Sequence, residues 1–375
     1  MTKLAIPLSS KCLFAYEHFN HRNKNILLCR SDEENALIAY KQLLFISGCK
    51  DASGEILHFP SLDTVPYDRV SPNGDILARR ASILTQLASK NSPKIIVTAA
   101  QNLICRLPVP TVFSETTLFL APGTKIDIEG VAEFLIKNGF DRVPSAVDSG
   151  EFAIRGEIID IVTSNNNGYR VNFGWDSVES IREYDTYSQI SKKTIDKFTL
   201  SSASESLLNS DTIINFKNNF LKLFGVNHIK NPLYESIISG QKFHGYEHLT
   251  PLFYEEMCLL QDYLEAPIII HDHLSMQAIL EHEHSYNDFY QSRLLSNKSN
   301  PDSFYFAIEP QNFIISSNQV KEIFDKEENI LLESGDNSSF AQLENIRSKA
   351  KLEKKTEFDK LFEVIVENKK KIPVI

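Results

Sequence analysis

The chain reads as an α/β protein, a parallel-sheet domain interrupted by an inserted α+β segment. Three observations predict that class. Short continuous apolar runs, such as Ile95-Ile96-Val97 and Ile268-Ile269-Ile270, are strand-sized and suit a parallel sheet covered on both faces. Segments with helical apolar spacing alternate with these runs. From about residue 117 to about residue 205 the texture changes to strands joined by short polar turns.

In order, residues 25–29 form an apolar strand. Residues 34–45 have helical spacing through Ala36, Leu37, Tyr40, Leu43 and Leu44. Residues 56–59 are a second strand, 76–87 a helix and 94–98 a strand. In the insert, 118–120 is a strand closed by the turn pair Pro122-Gly123, and 131–138 is a helix with Gly139 as its stop. Residues 151–162, 169–175 and 178–184 read as three strands. Asn165-Asn166-Asn167-Gly168 is a hairpin-type loop, rich in residues that tolerate positive φ. The serine-rich stretch 201–210 reads as a linker. Beyond it come a helix at 252–264, a buried-type strand at 267–271, a long polar helix at 274–294, a loop at 296–303 and a short strand at 312–316. Phe358, Leu361, Phe362 and Ile365 mark an amphipathic helix, and Val374-Ile375 begins a strand, so the end reads as a truncated α/β unit.

At 375 residues the chain has room for two or three domains. No apolar stretch approaches the length of a membrane span, and the N-terminus turns polar by Ser9, unlike a secretory signal. The five cysteines, Cys12, Cys29, Cys49, Cys105 and Cys258, are scattered and form no C-x-x-C pair. That usage fits a reducing cytoplasm rather than a disulfide framework or a zinc ribbon. The net charge of −10 argues against a non-specific nucleic-acid binder, whose affinity comes from a basic surplus. A protein or nucleotide partner is the better expectation.

Catalytic motifs are scarce. A phosphate-binding loop needs Gly-Lys, and that pair occurs nowhere in the sequence. Asp32-Glu33-Glu34 could suggest a magnesium box, but Ser31 followed by Glu34 reads more simply as a capping box. His271-Asp272-His273 and Glu281-His282-Glu283-His284 contain metal-ligand residue types. Two residues apart on a helix, His282 and His284 point about 200° apart, and all four histidines read as polar surface. Arg155 and Arg170 are more pointed. Alternation places Ala153, Arg155 and Glu157 on one face of their strand and Arg170 and Asn172 on one face of the next. If those strands pair, both arginines stand on one solvent face, suited to forked bonds with a partner carboxylate. The plain alternative is a pair of ordinary solvated residues.

Several longer runs carry a resemblance. Phe59 to Asp68 is followed by Ser71-Pro72 and Arg79-Arg80. Gly150-Glu151-Phe152-Ala153-Ile154-Arg155-Gly156-Glu157-Ile158-Ile159-Asp160-Ile161 is extended by Tyr169-Arg170-Val171-Asn172-Phe173 and Ser180-Ile181-Arg182-Glu183-Tyr184-Asp185. Gly245-Tyr246-Glu247 leads into Pro251-Leu252-Phe253-Tyr254. In this order they resemble the UvrB-like N-terminal module of the bacterial transcription-repair coupling factors (Mfd). UvrB, the nearest rival, carries the phosphate-binding motif missing here. The resemblance implies a degenerate helicase-type (RecA-like) parallel-sheet domain in two parts, 1–116 and 206–325. It also implies an inserted α+β UvrA-binding domain at 117–205, and a linker with the start of a further α/β domain at 326–375.

The implied function is a non-catalytic adaptor that recruits UvrA for transcription-coupled nucleotide excision repair in the cytoplasm, with no cofactor, metal or membrane contact of its own. ATP and Mg, RNA polymerase and DNA belong to the family's more C-terminal domains. The alternatives are an ATP-driven DNA translocase or helicase, or a remnant without a partner. Carried over by position, Arg155 and Arg170 match the two UvrA-binding arginines of the family. Phe173 stands at the family's first aromatic position, Gly174 where the family pattern has its second aromatic, and Trp175 follows; strict alternation puts Trp175 on the Phe173 face, away from the arginines, unless a bulge at Gly174 redirects it.

Overall fold

A computed structural model of the protein describes residues 1–6, 10–48, 54–89, 92–114, 116–299 and 306–334, with positions 353 and 360. Apart from position 360, the helix and strand read at 358–375 lie outside the described residues. The first α/β part runs β1 (Thr2–Ile6), α1 (Lys11–Arg22), β2 (Ile26–Arg30), α2 (Glu33–Ser47), β3 (Ile56–Phe59), α3 (Gly74–Ala88), β4 (Ile95–Ala99), α4 (Gln101–Ile104), β5 (Leu107–Pro108) and α5 (Pro110–Ser114). The insert follows as β6 (Leu118–Leu120), α6 (Ile128–Lys137), β7 (Asp141–Arg142), β8 (Glu151–Arg155), β9 (Ile158–Thr163), β10 (Asn167–Phe173), β11 (Val178–Tyr184), β12 (Ser191–Ile195) and β13 (Phe198–Leu200). The chain then returns through α7 (Ser210–Phe224), α8 (Pro232–Ile238), β14 (Met257–Cys258), β15 (Ile268–Asp272), α9 (Ser275–Ser299), α10 (Ser317–Phe324) and β16 (Ile330–Ser334).

The main sheet is parallel, in the order β1-β16-β15-β2-β4-β3. Its central strands are buried throughout, because each face has its own cover. Leu27, Ile96 and Ile269 meet Leu84, Ile279 and Val320 on one side. Ile26, Leu28, Ile95 and Val97 meet Cys12, Ala15, Ala36 and Leu43 on the other. β16 slots between β1 and β15, so the platform continues past residue 325, where the sequence placed its end.

The inserted sheet is ordered β12-β11-β10-β9-β8-β7, antiparallel apart from the short β7–β8 pair. β6 and β13 pair antiparallel, so the chain enters and leaves the insert side by side. Val131 and Leu135 of α6 pack on the apolar face of the sheet, against Phe152, Ile161, Val171 and Phe173.

Several sequence expectations need correction. Residues 151–162 are a hairpin, not one strand: Arg155 pairs with Ile158 across a two-residue turn in which Gly156 has φ +60°. The presumed linker 201–210 is packed, with Ser202, Ala203, Ser204, Glu205, Ser206 and Leu207 buried. Its serines serve one another's backbone: Ser202 Oγ accepts from Ser204 N and Ser204 Oγ accepts from Ser206 N. Residues 252–264 are not a helix but two 3₁₀ turns flanking β14. Ile314 forms an isolated bridge to Cys105 in place of a strand at 312–316, and α9 continues through 296–299. The cap of α2 is Asp32, whose Oδ1 accepts from Asn35 N at 2.8 Å, rather than Ser31.

Most of the signature runs turn out to form the joint between insert and platform. Arg80 is buried, pairs with Glu205, lies 4.2 Å over the Phe59 ring and donates to Pro60 O at 2.7 Å. Tyr254 donates to Glu205 O at 2.6 Å, and Tyr246 to Ser206 O at 3.0 Å. Ser71 Oγ donates to Glu247 at 2.7 Å and accepts from Gly245 N at 3.0 Å. Gly245 has φ +75°, and a Cβ there would meet the Arg69 backbone at 3.0 Å.

Candidate functional site

β9 lies between β8 and β10, and Asp160 is its central residue, opposite Ala153 on one side and Arg170 on the other. Alternation turns Asp160, Arg155 and Arg170 to the face away from α6. Asp160 is 1% exposed. Its two oxygens accept a fork from Arg170, Nε to Oδ1 at 2.7 Å and Nη2 to Oδ2 at 2.9 Å. Arg170 Nη1 also donates to Ser191 Oγ at 3.0 Å and to Gln189 O at 3.3 Å, while the guanidinium lies 5.1 Å from the Tyr184 ring centroid. The fork to Asp160 is the main cause that raises the Arg170 pKa further.

Arg155 approaches the same carboxylate from the other strand, with Nη1 3.9 Å from Oδ2, and Nη2 donates to Ser145 Oγ at 2.9 Å. Its side chain is 47% exposed, against 17% for Arg170. The structure thus brings both arginines onto one face, but on strands that flank β9 rather than neighbour each other, and only Arg155 is open. Arg170 was expected to be exposed; the buried carboxylate beneath it draws it in.

The two aromatics separate. Phe173 lies on the opposite face, buried beside Ile159 and Val178, so its ring is not presented to solvent. A register shift between Asn172 and Phe173 ends the alternation, and Trp175 sits in the β10–β11 turn at 99% exposure. Asp160 was missed in the sequence. Its signal was a lone carboxylate inside Ile158-Ile159-Asp160-Ile161, one hairpin away from an arginine. Arg182 was also passed over; it is exposed and pairs in register with Arg170.

On the platform, a nucleotide would be sought at the carboxyl ends of β2 and β15, where the strand order reverses. Arg30 and Asp272 fill that place as a buried pair at 3.4 Å. The Asp32 carboxylate sits on the α2 N-terminus, where a phosphate would bind. These residues do not fit a nucleotide phosphate.

The histidines divide. His271 is buried with its ring stacked on Phe324, and His282 is half-buried beside Cys105 and Tyr286, so neither is surface. Burial lowers the His282 pKa to about 4. His273 and His284 are exposed. Among the described residues, no group of three or more His, Cys, Asp or Glu could hold a metal ion, and no helix is long and apolar enough to cross a membrane.

Residues 118–205 match the family model of the UvrB interaction domain. Over 98% of its length the chain is 45% identical to the transcription-repair-coupling factor of Rickettsia prowazekii, and over its full length 45% identical to that of Rickettsia bellii. It is 26% identical to the Escherichia coli transcription-repair-coupling factor over 62% of its length, which is 20% of that relative. The chain spans about a third of the length of the Rickettsia relatives, 33% in each.

Proposed function

Since this chain belongs to the transcription-repair-coupling factors, as their UvrB-like N-terminal module, we propose that it is a non-catalytic adaptor recruiting UvrA for transcription-coupled nucleotide excision repair. The observation that carries this is the Arg155–Asp160–Arg170 cluster, built inside the segment that matches the UvrB interaction domain. Arg155, the open guanidinium of the cluster, suits a carboxylate on an acidic protein surface. Trp175 offers an unburied aromatic at the end of the same sheet, the residue type that most often anchors interfaces.

ATP-driven movement on DNA and contact with RNA polymerase are assigned in this proposal to the two thirds of the relatives that the chain does not match. The module itself takes no cofactor and works in the cytoplasm. Mixing the purified chain with UvrA at micromolar concentration tests it. A complex that forms in low salt and weakens as salt rises supports recruitment. Failure to bind in low salt contradicts it, and DNA-stimulated ATP turnover by the chain alone would favour the translocase alternative.

A further inference from the structure

The loop between β11 and β12, residues 185–190, holds two apolar side chains out of the protein. Tyr187 is 80% exposed and Ile190 66%. Single exposed apolar residues are ordinary, so exposure alone marks no site. What sets these two apart is the braced backbone beneath them. Asp185 Oδ1 accepts from Ser188 N and Ser188 Oγ, both at 3.0 Å. Asp185 N donates to Ile190 O at 2.9 Å, and Gln189 N to Asp185 O at 2.8 Å. Gln189 Nε2 donates to Ala146 O at 3.1 Å. Arg170 Nη1 ties Gln189 O and Ser191 Oγ to the outward face of the inserted sheet. Resting on the UvrA-recruitment proposal, we propose that Tyr187 and Ile190 are a preformed apolar anchor, which docks into an apolar recess of UvrA beside the acidic group that meets the arginine face.

A specific interface needs a dehydrated apolar centre as well as charge. The outward face supplies charge: Arg155 is half-exposed, and Arg182 is exposed and shares the face through its register with Arg170. Phe173 and Tyr184 are buried, and Trp175 stands at the other end of β11, so the loop supplies the apolar surface at this end. Its backbone is already fixed. Docking therefore orders little beyond two side chains, and a tyrosine loses little rotamer freedom. The span also fits one partner. β12 lies four strand spacings from β8, about 19 Å. A standard-size patch of about 800 Å² is about 30 Å across, enough to cover Arg155 and the loop together.

The test uses the full chain and purified UvrA, with dissociation constants measured at several salt concentrations for Y187A, I190A, Y187A/I190A, Y187F and R155A. Thermal melts fix a working temperature at which every variant compared is folded. The apolar variants should melt with the wild type, because both side chains are exposed. Y187A/I190A should bind roughly tenfold or more weakly, and each single alanine variant at least about threefold more weakly. The loss should be the same factor at every salt concentration, because no charge is removed, whereas R155A should flatten the salt dependence. Y187F keeps the ring and should bind within about twofold of wild type.

The single variants decide the matter if the double variant does not fold. If Y187A and I190A both bind as tightly as wild type while R155A is weakened, this inference is overturned and recruitment stands. A lowered melting temperature in Y187A/I190A, with wild-type affinity where it is folded, also overturns it, since the two side chains then pack rather than dock. If the wild-type chain binds no UvrA, the recruitment proposal falls and this inference with it.

Discussion

At Arg170 the guanidinium is mostly covered, and the carboxylate that it binds is buried. Arg170→Ala strands that carboxylate, and breaking such a pair costs on the order of 3 kcal/mol. Arg155→Ala removes a half-exposed group and should stay within about 0.5 kcal/mol. Denaturant unfolding of the two variants should show this contrast; equal stabilities would contradict the geometry. Trp175→Ala should leave stability within about 0.5 kcal/mol, because its ring packs on nothing, while UvrA binding falls. A clear drop in melting temperature would place that ring in a core.

His282 predicts a pH effect. Its folded pKa, about 4, lies below the ordinary histidine value, so between roughly pH 6.5 and 4 the unfolded chain binds more protons. Its contribution is complete above that window and is lost as the pH falls through it. His282→Gln should flatten this part of the stability–pH curve, and an unchanged slope in urea titrations would exclude it.

Among the elements, β2, β3, β4 and β15 were legible because a strand covered on both faces must be apolar along its whole length. β1 was not: Thr2-Lys3-Leu4-Ala5-Ile6 is a strand of mixed residues at the sheet edge, paired among the described residues with distant β16. The break at Gly156 was hidden because it interrupts an alternation that continues on both sides, and one glycine carries a weak turn signal. Buried serines at 202–206 mimicked a linker, since composition does not reveal hydroxyls that serve a neighbouring backbone. At 252–264, apolar spacing imitated a helix while the backbone took short turns and a paired strand. Of the site, the shared face of Arg155 and Arg170 followed from alternation. The depth of Arg170 did not, because it depends on a carboxylate one strand away. Gly245→Ala should destabilise the joint by roughly 1–3 kcal/mol, since positive φ and the Arg69 backbone both oppose a Cβ. A melting temperature equal to wild type would show that the joint tolerates the change.

For the whole molecule, the joint and the face divide the labour. Arg80, Glu205, Tyr246 and Tyr254 fix the insert on the platform. The platform's own crevice is filled by Arg30 and Asp272. The outward face of the inserted sheet and the turn that carries Trp175 are open to solvent. Recruitment of UvrA through Arg155 can be read from titration of UvrA with wild-type chain and Arg155→Ala in low salt. The wild type should form a salt-sensitive complex, and a folded Arg155→Ala should bind roughly tenfold or more weakly. Equal affinity of the two chains, or no complex with either, would contradict it.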